Sequence, residues 1–328
     1  VVLSGAAVAT DAVLILGGAS TIATITGNID TASAKFGTVT IAGATTVDGD
    51  ILSTGTTAIN FAADKVLTIT ANNIIVDDVT TTTTDTGTLT FAAATANTIA
   101  AAGAVGTSSA LLKEVNITST ETDANATIKA SITSNVFATT INATSTAYQA
   151  GGDVADEIEF GGTVNGTTVN LFGAGLVDFH GDVTAAVVFG AGASTTGTAT
   201  VAANKKIVGA VTTTDTGEGT LSFAAATAST VLASSTIGAD GKVLEELIAL
   251  SSDAAMADDT AVVATIAGDV FATTVTATAS KATVASGDGD TVAFSGNVTA
   301  TTFSANGLGT ITVGGDLTAA LVFAATAD

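Results

Sequence analysis

Cysteine, proline, tryptophan and arginine are absent from this 328-residue chain, and histidine, methionine and tyrosine occur once each. Without cysteine there is no disulfide framework and no thiolate metal site, so stability rests on packing and backbone hydrogen bonds. Without arginine, all eight basic residues are lysines, set against thirty acidic residues for a formal charge of −22. Such a surface repels nucleic-acid phosphates and anionic headgroups, which excludes nucleic acid as a partner. Long hydrophobic runs are also missing. Mean hydropathy is +0.58, yet runs such as Ala12 to Leu16 fall far short of the ~18–20 apolar residues of a spanning helix. The segment therefore carries no such span. No charged n-region or small-residue cleavage site opens the chain at Val1, so it reads as processed or as an excerpt of a longer protein.

Alanine, threonine, valine and 35 glycines fill the text, and the text repeats. LTFAAATANTI at 89–99 returns as LSFAAATASTV at 221–231, and VGTSSALLKEV at 105–115 lies over IGADGKVLEEL at 237–247, an offset of 132. VFATTI at 136–141 meets VFATTV at 270–275, and GDVTAAVVF at 181–189 meets GDLTAALVF at 315–323, both at an offset of 134. ITANNIIVDDVT at 69–80 lies over VAANKKIVGAVT at 201–212, so a partial copy precedes the other two. The chain reads as a partial repeat (1–78), a full repeat (79–210) and a second, nearly full repeat (211–328) in one continuous solenoid.

A finer period sits inside the large one. Gly162 to Gly181 and Gly296 to Gly315 are each 19 residues, and Gly27 to Gly49 is 22. A period near 20 in text rich in Thr, Val, Ala and Gly predicts an all-β parallel β-solenoid, or β-helix, with one coil per period and about 16 coils in all. Segments such as GTVTIAG and GTLTFAA alternate β-branched or aromatic residues with small ones, between turn-forming Gly, Asn and Asp. The absence of proline fits, because each coil donates its amides to a neighbouring coil and proline removes a donor. KVLEELIAL at 242–250 is the best candidate for a helix, but its alignment with ALLKEVNIT at 110–118 favours a strand.

Several constellations carry potential chemistry. Phe91 with Phe223, Phe137 with Phe271 and Phe189 with Phe323 recur between copies. They read as an interior stack filling the coil rather than a carbohydrate platform, which favours Trp or Tyr. Gly49-Asp50, Gly181-Asp182 and Gly315-Asp316 sit one coil beyond Gly27-Asn28, Gly162-Thr163 and Gly296-Asn297. These corners read as structural, with side chains bonding along the stack. Asp48-Gly49-Asp50 and Gly287-Asp288-Gly289-Asp290 offer oxygen ligands for calcium, the one cofactor the sequence leaves open. Neither has the spacing of an EF-hand or a calcium nonapeptide, and Asp77-Asp78 becomes Gly209-Ala210 in the next copy.

His180 is the only histidine and its counterpart is Gly314, so a Ser–His–acid arrangement would rest on one unrepeated residue with no nucleophile elbow nearby. Asp153, Asp156, Glu157 and Glu159 could pair as carboxylates, but the matching stretch 286–291 keeps only two aspartates. The expectation is therefore no enzyme and no catalytic, cofactor or metal residues. Asn116, Asn125, Asn142, Asn165 and Asn297 open glycosylation sequons, several of which arise by chance in threonine-rich text.

The unit GNVTATT at 296–302, the DTGTLTF strand text at 85–91 and the cysteine-free composition resemble the passenger regions of bacterial autotransporter adhesins and rickettsial-type outer-membrane surface antigens. The resemblance is one of style over nearly the whole chain, and no barrel domain is present in it. It implies a β-helical passenger displayed outside the cell as an adhesin, stalk or surface-layer component. The expected function is an extracellular structural repeat protein forming a rod, filament or surface layer. Self-association end to end or side by side, and a cell-surface or host ligand, are its expected partners. The alternatives are a calcium-dependent matrix protein of tandem β-sandwiches and a β-helix enzyme that degrades polysaccharide.

Overall fold

Among the described residues, strands of three to ten residues form where β-branched or aromatic side chains alternate with small polar ones, and every pairing between them is parallel. The structure, a computed structural model, describes residues 13–18, 20–29, 36–52, 58–95, 98–120, 128–146, 156–190, 197–226, 228–252, 261–280 and 289–324. It divides into two units, Val1–Asn170 and Leu171–Asp328.

In the first unit one sheet stacks β1 (Val13–Leu16), β3 (Thr38–Ile41), β5 (Ala58–Phe61) and β7 (Asp78–Thr81). A second stacks β2 (Ala23–Thr26), β4 (Thr45–Asp48), β6 (Val66–Ile69), β8 (Thr88–Ala93), β10 (Leu112–Ser119) and β12 (Val136–Ser145). A third stacks β9 (Thr98–Ala101), β11 (Lys129–Ile132) and β13 (Glu157–Phe160). Strand β14 (Val164–Phe172) crosses the division between the units.

In the second unit β15 (Leu176–Phe179), β17 (Thr198–Val201), β19 (Glu218–Ala225), β21 (Leu244–Ser251), β23 (Val270–Ala279), β25 (Val298–Asn306) and β27 (Leu317–Ala324) stack in that order. Beside them lie β16 (Val183–Phe189) with β18 (Val211–Thr213), and β20 (Thr230–Ala233) with β22 (Val263–Ile266), β24 (Thr291–Phe294) and β26 (Thr310–Val313).

Because consecutive partners in each stack lie one winding apart, both units are parallel β-solenoids. Thr24 pairs with Thr46, Thr46 with Thr68 and Thr68 with Thr90, each step one coil. This excludes tandem β-sandwiches, which are built from antiparallel sheets. KVLEELIAL forms β21, a strand, because its amides lie between those of β19 and β23.

The coil length is not uniform. Thr291 reaches Thr310 after 19 residues, Thr46 reaches Thr68 after 22, Ala138 lies 26 beyond Leu112, and Ala264 lies 34 beyond Thr230. Fewer coils therefore form than the 16 that a constant period of about 20 would give. Glycine spacing reports the short coils. The longer ones carry extra residues in their connections, where chain length is cheap in entropy.

The interior is filled with buried apolar side chains. Ile29, Ile51, Ile75 and Ala101 bridge in succession, and Phe61, Phe91, Phe160, Phe179, Phe223, Phe294 and Phe303 are fully buried. Each aromatic ring needs room that small residues nearby provide. Gly87, at φ +84°, and Gly219, at φ +80°, occupy equivalent turns, and a Cβ there would stand 2.5 Å from Phe61 and 2.4 Å from Phe189. Alanine at either site would meet both a left-handed backbone and a ring.

Phe91, Phe223 and Phe189 are interior, as expected, but Phe137 and Phe271 are not. In β12 and β23 alike, alternation is broken at Thr139-Thr140 and Thr273-Thr274, where both residues are half-exposed. The slip turns Phe137 and Phe271 outward while Ile141 and Val275 remain inside. Phe323 is 76% exposed.

Candidate functional site

Carboxylates and amides gather at the coil corners, where the chain leaves one sheet for the next and the ladder needs additional acceptors. Asn28 Oδ1 accepts from the Asp50 amide at 2.9 Å, and Asp50 Oδ1 accepts in turn from the Ile74 amide at 3.0 Å. Asp269 Oδ1 accepts from the Asn297 amide at 2.7 Å, and Asn297 Oδ1 from the Asp316 amide at 2.9 Å. Asn135 does the same for Thr163 and Asp182 for Lys206. The expected side-chain bonding along the stack is thus present, running from side chain to backbone. Gly315 donates to the Gly296 carbonyl at 3.2 Å, so these corner glycines are vertical neighbours. Gly49 stands similarly over Gly27: a Cβ on it would lie 2.4 Å from the Gly27 carbonyl carbon.

A second polar seam is buried. Asp156 and Asp290 are 1% and 0% exposed, and Ser119, Ser145 and Ser251 are each 0% exposed. Asp156 Oδ1 accepts from the Ile128 amide at 3.0 Å and its Oδ2 from the Thr146 hydroxyl at 3.0 Å. Asp290 Oδ1 accepts from the Val262 amide at 2.9 Å. Ser119 and Ser251 donate to the carbonyls of Ile128 and Val262, each at 2.7 Å. The seam recurs at the repeat offset, with Ser119 matched by Ser251 and Asp156 by Asp290.

These bonds decide several of the sequence-level candidates. Asp156 is a buried acceptor for the Ile128 amide and the Thr146 hydroxyl. Glu157 and Glu159 point to the outer face and flank Lys129 on the neighbouring strand, in contact with its ammonium. Burial pulls the Lys129 pKa down, but the hydrogen bonds and charges of Glu159 and Glu157 outweigh it and hold it above the usual lysine value. The Lys113 ammonium is likewise raised by its hydrogen bond to Asp64 at 2.7 Å. His180 Nε2 lies 2.7 Å from Asp178 Oδ2, and the other oxygen of Asp178 accepts from the Thr200 hydroxyl. This is an exposed pair on the outer face, and Gly314 leaves nothing like it in the next copy.

For calcium, Asp48 Oδ1 accepts from the Thr70 hydroxyl at 2.7 Å and Asp50 serves the corner, so the two carboxylates bind different parts of the next coil. Asp290 faces the seam. Asp153, Gly287, Asp288 and Asn125 lie outside the described residues. Among the described residues no group of three His, Cys, Asp or Glu side chains could hold a metal ion.

The sequons Asn116 and Asn142 belong to an outward column in which Thr24, Thr46, Thr68, Thr90, Asn116 and Asn142 follow one another in register. Asn142 Nδ2 donates to Asn116 Oδ1 and Asn170 Nδ2 to Asn142 Oδ1, both at 2.8 Å, an amide ladder on the outer surface. Sequence reasoning missed the buried seam and this ladder. The signal for the seam was the pairing of Ser119 with Ser251 and Asp156 with Asp290 across copies whose intervening residues differ.

No protein-family model, curated protein or solved structure matches the chain.

Proposed function

We propose that this is an extracellular structural repeat protein whose coils build a rod, filament or surface layer, serving a bacterial cell as an adhesin or stalk segment. One observation carries the reading. The side chains best suited to chemistry hold one coil to the next, as Asn28, Asp50, Asp269 and Asn297 do at the corners and Asp156 and Asp290 in the seam. A chain that directs its polar groups into its own ladder, and does so again one repeat later, is organised for extension. Each added repeat adds length at no cost in new architecture. The charge of −22 suits solubility and spacing in the open, and the autotransporter-like text points to display outside the cell.

Protease shaving and immunogold electron microscopy of cells that express the protein test this. Label on the cell exterior, with purified particles of constant width in negative stain, is the expected result. Label confined to the cell interior, or beaded particles, would contradict it.

A further inference from the structure

The bend in β12 and β23 builds the same outward patch in each unit. Both copies read Val-Phe-Ala-Thr-Thr there, at 136–140 and 270–274, and in both the phenylalanine faces outward, half-exposed, just before the chain turns. In the second unit Phe271 pairs in register with Thr299 and Ala272 with Ala300, so Phe271, Thr273, Thr299 and Thr301 share one outward face across two coils. The preceding coil puts Gly238 beside Phe271, where a Cβ would stand 3.1 Å from the Phe271 Cβ. The first unit repeats this with Phe137, Thr139 and Gly106, and the neighbouring β14 carries Asn165 and Thr167. Other outward positions drift between copies: Lys113 becomes Glu245, Asn116 becomes Ile248 and Asn142 becomes Thr276. Phe137, Thr139 and Thr167 return unchanged as Phe271, Thr273 and Thr301. A ring left half in water forfeits part of the burial that an interior site would give it, so packing alone does not explain why both copies keep it.

We propose that each of these two patches binds a neutral carbohydrate, with the phenylalanine ring against the C–H face of a sugar and the threonine hydroxyls bonded to the sugar hydroxyls. The face of an aromatic ring is its negative side, which suits the weakly positive hydrogens of a sugar face. A threonine hydroxyl both donates and accepts, as a sugar hydroxyl does. Phenylalanine lacks the phenol of tyrosine, so the adjacent hydroxyls supply the polar contacts. Charge selects the class of sugar. Position 113, beside Thr139, holds a lysine paired with Asp64, and its counterpart beside Thr273 is Glu245. The part that both copies share is therefore uncharged, and a chain carrying −22 repels acidic sugars. This deepens the adhesin reading above, on which it rests, by naming the class of ligand.

Affinity electrophoresis of the purified 328-residue chain tests the proposal, in native gels cast with dextran, starch, mannan, galactan, glycol chitin or the acidic polymer polygalacturonate. The expected result is retardation by at least one neutral polymer and none by polygalacturonate. Phe137→Ala with Phe271→Ala abolishes the retardation while melting like the parent, and Phe137→Tyr with Phe271→Tyr, which keeps both rings, retains it. Thr68→Ala, at an outward threonine away from the patch, retains it too. Should the alanine variant melt lower, Thr167→Val with Thr301→Val decides, because it removes two exposed hydroxyls and weakens the retardation only if they bond the sugar. Mobility unchanged in every neutral gel, retardation by polygalacturonate alone, retardation that survives the double alanine variant, or equal loss in Thr68→Ala would overturn the proposal. A purified chain that binds no neutral polymer contradicts this site alone, whereas label confined to the cell interior contradicts the reading beneath it.

Discussion

At the scale of single residues, the polar groups matter through what they leave unpaired when removed. Asp156 is the clearest case, because its two carboxylate oxygens satisfy the Ile128 amide and the Thr146 hydroxyl inside the fold. Asp156→Ala strands that amide in a buried site, and a buried donor left without an acceptor costs about 1–3 kcal/mol. Asp156→Asn keeps an acceptor oxygen in place and costs less. Thermal melts of the two variants beside the parent check this ordering. Equal melting of Asp156→Ala and the parent would show that the seam holds nothing. Sequence alone offered Asp156 as one of four clustered carboxylates. Its real company, Ile128 on the coil below, lies 28 residues away, a distance that composition does not display.

Among the elements, the ion pairs sit on strand faces and their value depends on pH. Lys129 on β11 lies opposite Glu157 on β13 and also meets Glu159. Its pKa is held above the usual lysine value, so the pair stabilises the fold below the unfolded lysine pKa of about 10.4 and is lost as pH rises through the folded value. Lys129→Met should cost up to about 1 kcal/mol at neutral pH, the scale of partly exposed pairs. The difference should vanish in strong alkali. Denaturant titrations of parent and variant at the two pH values check this, and a gap that widens in alkali would contradict it.

The strand elements themselves were legible in the sequence, because alternation in GTLTFAA or GTATVAA reports a pleat directly. The facing of Phe137 and Phe271 was not. Alternation counted back from Ile141 assigns Phe137 to the interior, but the break at Thr139-Thr140 reverses the parity. Nothing in a Thr-Thr pair marks a bend. Coil length was legible only where glycines flank a short coil. A ladder fixes its strands and leaves the connections free, so the 34-residue step from Thr230 to Ala264 carries no matching signal.

For the whole molecule, the tandem copies and the missing prolines foretold the parallel winding in both units, and the spacing of Gly27 from Gly49 and of Gly296 from Gly315 foretold that these pairs stand one over the other. Function has no comparable signature, since a site repeated for structural reasons and a site repeated for binding read alike in one sequence. The account therefore depends on the vertical register of the coils. The chain lacks cysteine, so paired cysteines test that register without background. Thr46→Cys with Thr68→Cys in the first unit, and Thr276→Cys with Ser304→Cys in the second, join residues that pair across adjacent parallel strands. Strands about 4.8 Å apart bring such Cα atoms within disulfide reach. Mild oxidation of the native protein should close both pairs, while the off-register pair Thr46→Cys with Thr70→Cys stays reduced. Registered pairs that remain reduced, or an off-register pair that closes as readily, would contradict the stacked winding.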